Sequence, residues 1–143
     1  MNALLARSNL GFLLAKATQK WNEHLYERFC AAGFPEVRPS YGAILVPLFE
    51  EDGLRIGELA RRARLSKQAM TTMLRLLERE NLVIRRSDPE DARASRIFLA
   101  KKAHRFRPVA EVVLNELDAL TKAVAGKEAL EATRDWLKRF IEF

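Results

Sequence analysis

The chain has 143 residues, 48% apolar and 31% charged, with a formal net charge of +6. That length and balance provide for one folding unit with a true core, in one or two lobes, and exclude a disordered basic tail. The positive excess favours a polyanionic partner, and the single cysteine, Cys30, excludes an internal disulfide framework and fits a reducing compartment.

Leu10, Leu14, Ala17, Trp21, Leu25 and Phe29 recur at helical period, so the spacing predicts a helix over 8–32 closed by Gly33. The apolar patch at 10–15 belongs to that helix rather than to a signal peptide, and no run reaches the length of a membrane span. A cytoplasmic chain with no membrane partner is expected. Pro35 and Pro39 mark a connecting loop, and Ser40 is placed to cap a second helix to about 51, with Pro47 kinking or shortening it. Asp52-Gly53 breaks the chain, 54–56 is a candidate short strand, and 57–63 a brief helix with Leu59 and Ala60 inward.

The stretch from Ser66 to Glu80 reads as a two-faced helix with Ser66 as N-cap and Asn81 as a left-handed stop. At about 100° per residue, Ala69, Met70, Met73, Leu74, Leu76 and Leu77 gather on one side. Gln68, Thr71, Thr72, Arg75 and Arg79 share the other, which holds amides, hydroxyls and guanidiniums but no carboxylate. Those groups suit base edges in a DNA major groove, although an ordinary solvated helix face has a similar composition. After Asn81 the period becomes alternating. Strands at 82–86 and 95–99 enclose a polar loop at 87–94, so a two-stranded ribbon follows directly on the helix. Short helix, tight turn, longer helix and ribbon make a winged helix-turn-helix: mainly α with a small β-ribbon wing. Arg93 at the wing tip can enter a minor groove, with Asp91 two residues earlier to hold it. Helices over 102–125 and 127–143 carry more apolar surface (Phe106, Val109, Val113, Leu117, Leu120, Val124; Leu130, Trp136, Leu137, Phe140, Ile141) than so small a domain covers, which points to a second copy of the chain. The organisation expected is a helical dimerisation lobe from 1–36 and 102–143 and a DNA-binding lobe over 37–101.

Leu65-Ser66-Lys67-Gln68-Ala69-Met70, Leu82-Val83-Ile84-Arg85-Arg86 and Asp88-Pro89-Glu90-Asp91-Ala92-Arg93-Ala94 strongly resemble the MarR family of bacterial transcription regulators. The resemblance implies a homodimer on a pseudo-palindromic operator, a repressor released by a small, often aromatic, effector. It implies major-groove contacts from Ser66, Lys67, Gln68, Thr71, Thr72 and Arg75, and a minor-groove contact from Arg93. Leu99-Ala100 departs from the family's usual Leu-Thr, removing an N-cap worth roughly 1 kcal/mol from the long helix. Asn81 in place of the usual glycine is a mild change.

Arg61, Arg62, Arg64, Lys67, Arg85, Arg86 and Arg96 are candidate phosphate contacts. Trp21, His24, Tyr41, Leu45 and Phe106 are candidates for a cavity between the lobes, with plain packing as the alternative. Cys30 is expected to be a buried structural cysteine rather than an oxidation sensor. His24, Cys30 and His104 lack ligand spacing, so neither metal nor cofactor is expected. No phosphate loop or nucleophile, base and acid arrangement is present in the sequence, so an enzyme is not expected. The alternatives are a winged helix used for protein contacts and an architectural DNA binder that does not choose a site.

Overall fold

In the computed structural model, which describes residues 5–143, the order is α1 (Leu10–Ala31), a 3-10 turn (Pro39–Tyr41), α2 (Gly42–Glu50), β1 (Leu54–Arg55), α3 (Ile56–Ala63), α4 (Lys67–Arg79), β2 (Val83–Ser87), β3 (Ser95–Leu99), α5 (Lys101–Ala125) and α6 (Lys127–Glu142). Residues 1–4, the start of the lobe expected over 1–36, lie outside the described residues. Asn9, rather than a residue at or before Ser8, caps α1, its Oδ1 accepting from the Phe12 N–H at 3.2 Å. Gly33, at φ +94°, closes the helix, and the Phe34 N–H reaches back to Phe29 O at 2.8 Å, the bond that a left-handed residue just past a helix permits. Ser40 does not cap α2. It lies inside the 3-10 turn, so α2 starts later than expected, at Gly42, and runs through Pro47 to Glu50.

The short strand is real and changes the sheet. β1 pairs antiparallel with β3 (Leu54↔Ile97, Arg55↔Arg96), giving the order β1-β3-β2 in place of a free two-stranded ribbon. The turn into β1 needs Gly53: at φ +72°, a Cβ there would sit 2.7 Å from Phe98 Cε1. Asp52 Oδ1 accepts from both Gly53 N–H (3.0 Å) and Leu99 N–H (2.8 Å), which ties the turn to β3.

One continuous core joins Ile44, Leu48, Leu59, Met70, Leu74, Leu77, Leu82 and Ile97 of the winged region to Leu25, Phe29, Phe106, Val113 and Leu117 between α1 and α5. Phe106 is held edge-on by Phe29 and Phe34, with ring centroids 4.8 and 5.2 Å away. Ala100 gives α5 no side-chain cap. The junction is held by Ala100 N–H donating to Leu82 O (2.9 Å), and by Lys102, which donates to Glu80 O (2.9 Å) and pairs with Glu36 (2.8 Å). The outer stretches of α1 and α5 and most of α6 remain uncovered: Leu130 and Leu137 are half-buried, and α6 has no buried residue.

Candidate nucleic-acid interface

α4 is fixed by both ends and one side. Ser66 Oγ accepts from the Ala69 N–H at 3.1 Å, Asn81 takes φ +60°, and the Leu82 N–H donates to Leu77 O at 2.9 Å. Met70, Leu74 and Leu77 are buried, while Leu76, grouped with the inner stripe on sequence, is 37% exposed at its edge. The opposite face carries Ser66, Lys67, Gln68, Thr71, Thr72, Arg75 and Arg79, all exposed. Gln68, Thr72, Arg75 and Arg79 make no side-chain hydrogen bond or ion pair among the described residues. Thr71 differs, because its Oγ1 donates to Lys67 O at 2.9 Å. Its proton is used within the helix, and it presents a methyl group and lone pairs outward.

The cations around this face fall into two groups. Arg61 and Arg62 share Glu58 at 2.5 and 2.9 Å, and Arg62 also meets Glu51 at 2.7 Å. Their hydrogen bonds hold the Glu58 carboxyl far below its ordinary range, at about 2. Arg85 pairs with Glu78 at 2.8 Å, and Arg96 lies 3.2 Å from the buried carboxylate of Asp88. These four already spend part of their donors and charge on the chain's own carboxylates, which weakens what they offer a phosphate. Arg64 and Lys67 make no ion pair among the described residues, and Arg86 lies over the Phe98 ring at 5.6 Å. Glu58 and Arg62 stand four apart on a helix, a pairing legible in sequence. Nothing local announces that Asp88 collects Arg55 and Arg96.

At the wing tip the Arg93 side chain is 94% exposed. Asp91 Oδ1 accepts from the Arg93 N–H at 3.0 Å and stands 3.6 Å from its Nε, so Asp91 orients this residue through the backbone more than through the guanidinium.

A cavity of about 610 Å³ opens between α1, the 37–39 segment, α2 and α5. Of the residues expected there, Leu45 and Phe106 line it, and Trp21, His24 and Tyr41 do not. Tyr41 is taken into the core by the 3-10 turn, Trp21 packs partly against that core, and His24 is engaged by Arg28 at 3.2 Å. Sequence periodicity missed the charged lining, Arg38, Glu50, Arg107 and Glu111. Arg107 stacks over Phe49 at 5.3 Å with Glu111 3.4 Å away, whereas Arg38 lies over Tyr26 at 4.8 Å and has no ion pair among the described residues. Cys30 is exposed, not buried, because it follows Phe29 onto the outer side of α1. Among the described residues no group of three or more His, Cys, Asp or Glu is placed to hold a metal ion, and no helix is long and apolar enough to cross a membrane.

The whole-chain geometry is shared with solved structures. A probable transcriptional regulator from Pseudomonas aeruginosa matches with a TM-score of 0.80 at 21% identity, over 92% of this chain and 96% of that one. The PcaV transcriptional regulator from Streptomyces coelicolor, in complex with its natural ligand, matches with a TM-score of 0.79 at 20% identity, over 99% and 98%. The transcriptional repressor CouR, bound to a 23-mer DNA duplex, matches with a TM-score of 0.80 at 20% identity, over 92% of each chain. No curated protein sequence matches the chain. Residues 39–95, from the 3-10 turn to the first residue of β3, match the model of the MarR family, so this chain carries a MarR-family domain built as a winged helix.

Proposed function

We propose that the chain is a dimeric, sequence-specific DNA-binding transcription regulator, a repressor released by a small ligand. The observation that carries this reading is the outer face of α4: Gln68, Thr72, Arg75 and Arg79 are exposed and unpartnered among the described residues, with no carboxylate between them. Bare donors and acceptors of this kind match the edges of guanine and adenine in a major groove. Arg64, Lys67 and Arg86 are free to take phosphates, and Arg93 to take an adjacent minor groove. CouR, of the same fold, is bound to a duplex, which agrees with this use of the fold.

Dimerisation is supported by the uncovered apolar side chains of the terminal helices, among them Leu10, Leu13, Val112, Leu120, Val124, Phe140 and Ile141. With two copies, α4 is presented twice about 34 to 36 Å apart, to half-sites one helical turn apart. The effector site is the 610 Å³ cavity, whose apolar walls and Arg38 suit a small aromatic acid. PcaV, again of this fold, holds a natural ligand. A chain that reads genomic DNA works in the cytoplasm, and binding is the whole of the activity assigned to it.

Selection of bound sequences from a random duplex pool tests the reading. The expected result is a pseudo-palindrome whose half-sites are centred about 10 base pairs apart; an enriched pool without a shared sequence refutes it.

A further inference from the structure

The wing of this protein is held by a carboxylate that no local pattern in the sequence marks. In the sheet, Arg55, Arg96 and Arg86 are register partners across β1, β3 and β2, so three guanidinium-bearing residues stand in a row on one face. Like charges side by side on a sheet repel. The chain answers with Asp88, the residue just past β2, whose side chain is wholly buried. Its Oδ2 takes Arg55 Nε at 2.5 Å and lies 3.2 Å from Arg96 Nε, and its Oδ1 accepts the Glu90 N–H at 2.9 Å. Arg96 goes on to donate to Gly53 O at 3.0 Å. The surroundings favour the charged carboxylate: the Glu90 N–H and the guanidiniums hold its pKa below the usual range against the opposing effect of burial.

What this cluster grips is the base of the wing. The Asp88 N–H donates to Ala94 O (3.0 Å), Asp91 N–H to Asp88 O (3.3 Å) and Ala94 N–H to Asp91 O (3.0 Å), so the loop that presents Arg93 is folded around Asp88. Through Arg55 the same carboxylate reaches β1, which runs directly into α3, and through Arg96 it reaches Gly53, where a side chain does not fit. Arg55 comes from β1, outside the β2-β3 ribbon, Arg96 from the wing strand β3, and the carboxylate from the start of the wing loop.

We propose that Asp88 is a positioning residue for DNA recognition: by clasping Arg55 of β1 and Arg96 of β3 it fixes the wing loop on the sheet and so places Arg93 for its groove. This rests on the reading of the wing as a DNA contact, and it gives Arg96 a role other than the phosphate contact expected of it.

Two measurements on the full chain test it. In the first, amide hydrogen exchange of the free protein is compared between wild type and Asp88→Asn, an isosteric change that removes the charge. The expected result is a loss of protection on the order of tenfold at Glu90, Asp91, Arg93 and Ala94, with the amides of Met70 to Leu77 unchanged; equal wing protection in the two proteins overturns the proposal. If Asp88→Asn does not fold, Arg55→Gln, at a half-exposed position, is read in the same way with a smaller loss. In the second, affinity for the selected duplex is measured for Asp88→Asn, Arg93→Ala and the double variant. The double variant binds no more weakly than Arg93→Ala if Asp88 acts through Arg93, and the two losses multiply if it does not, which also overturns the proposal. Should wild type bind no duplex, the DNA-binding reading fails while the exchange result still decides whether Asp88 sets the wing.

Discussion

The winged region and the terminal helices use apolar residues in opposite ways. In the winged region Leu59, Met70, Leu74, Leu77, Leu82 and Ile97 are at most 1% exposed, closed over by elements of the same chain. Along the terminal helices Leu10, Phe12 and Leu13 of α1, Val112, Leu120 and Val124 of α5, and Trp136, Phe140 and Ile141 of α6 are each between 38% and 82% exposed. The two regions meet at Phe29, Phe106, Val113 and Leu117, so they are one body with two kinds of surface. One region is complete in a single chain. The other leaves the outer side of its helices uncovered, the apolar surface on which the proposed dimer rests.

Truncation breaks this contrast most sharply. Leu74→Ala, in the closed core, should cost about 2–5 kcal/mol of unfolding free energy in a denaturant titration, whatever the protein concentration. Phe140→Asp, on the uncovered side of α6, should leave a folded subunit but weaken self-association by roughly 30-fold or more, the level of an interface hot spot, as read by sedimentation. A concentration-independent loss of folding for Phe140→Asp would place that residue in the core of one chain after all. Within the winged region, Arg75→Ala should lower affinity for the selected duplex by about 1–3 kcal/mol and relax the base preference at one position per half-site. Arg64→Ala should weaken selected and random duplexes alike, and Arg62→Ala should do less than Arg64→Ala because Glu51 and Glu58 already hold Arg62.

The smallest effect is one of pH. Arg61 and Arg62 depress the Glu58 carboxyl from 4.5 to about 2. Its stabilising contribution is therefore fully present above about pH 4.5 and is lost as the pH falls towards 2. Glu58 has solvent around it, so the wild-type melting temperature should fall only slightly more than that of Glu58→Gln across that window.

Local rules carried far along the chain. Ser66 and Asn81 bracket α4 where capping chemistry puts them, the alternation after Asn81 finds both wing strands, and Asp91 meets Arg93, although through its backbone N–H more than the guanidinium expected. These features are set by neighbours a few residues away. What escaped depends on distant partners. The short strand at 54–55 was expected, but its pairing with β3 about forty residues on was not, and that pairing brings Arg55 and Arg96 to Asp88. Helical period could rank Trp21 and Tyr41 as apolar but not say that both face the core instead of the cavity. Nor could it show that Arg38 and Arg107 reach the lining. At the start of α5, the missing threonine cap was visible as Ala100. Its substitute, Lys102 bridging Glu36 and the Glu80 carbonyl, was not, since those partners lie 66 and 22 positions away in the sequence.

The most direct test of α4 as a reading element is the affinity of the full chain for its selected duplex and for a random duplex, each titrated across a range of salt concentrations. Both affinities should fall steeply and linearly on logarithmic axes as salt rises, with the selected duplex held tighter throughout and that advantage much reduced in Arg75→Ala. Affinities indifferent to salt, or equal for the two duplexes in wild type, would contradict the account.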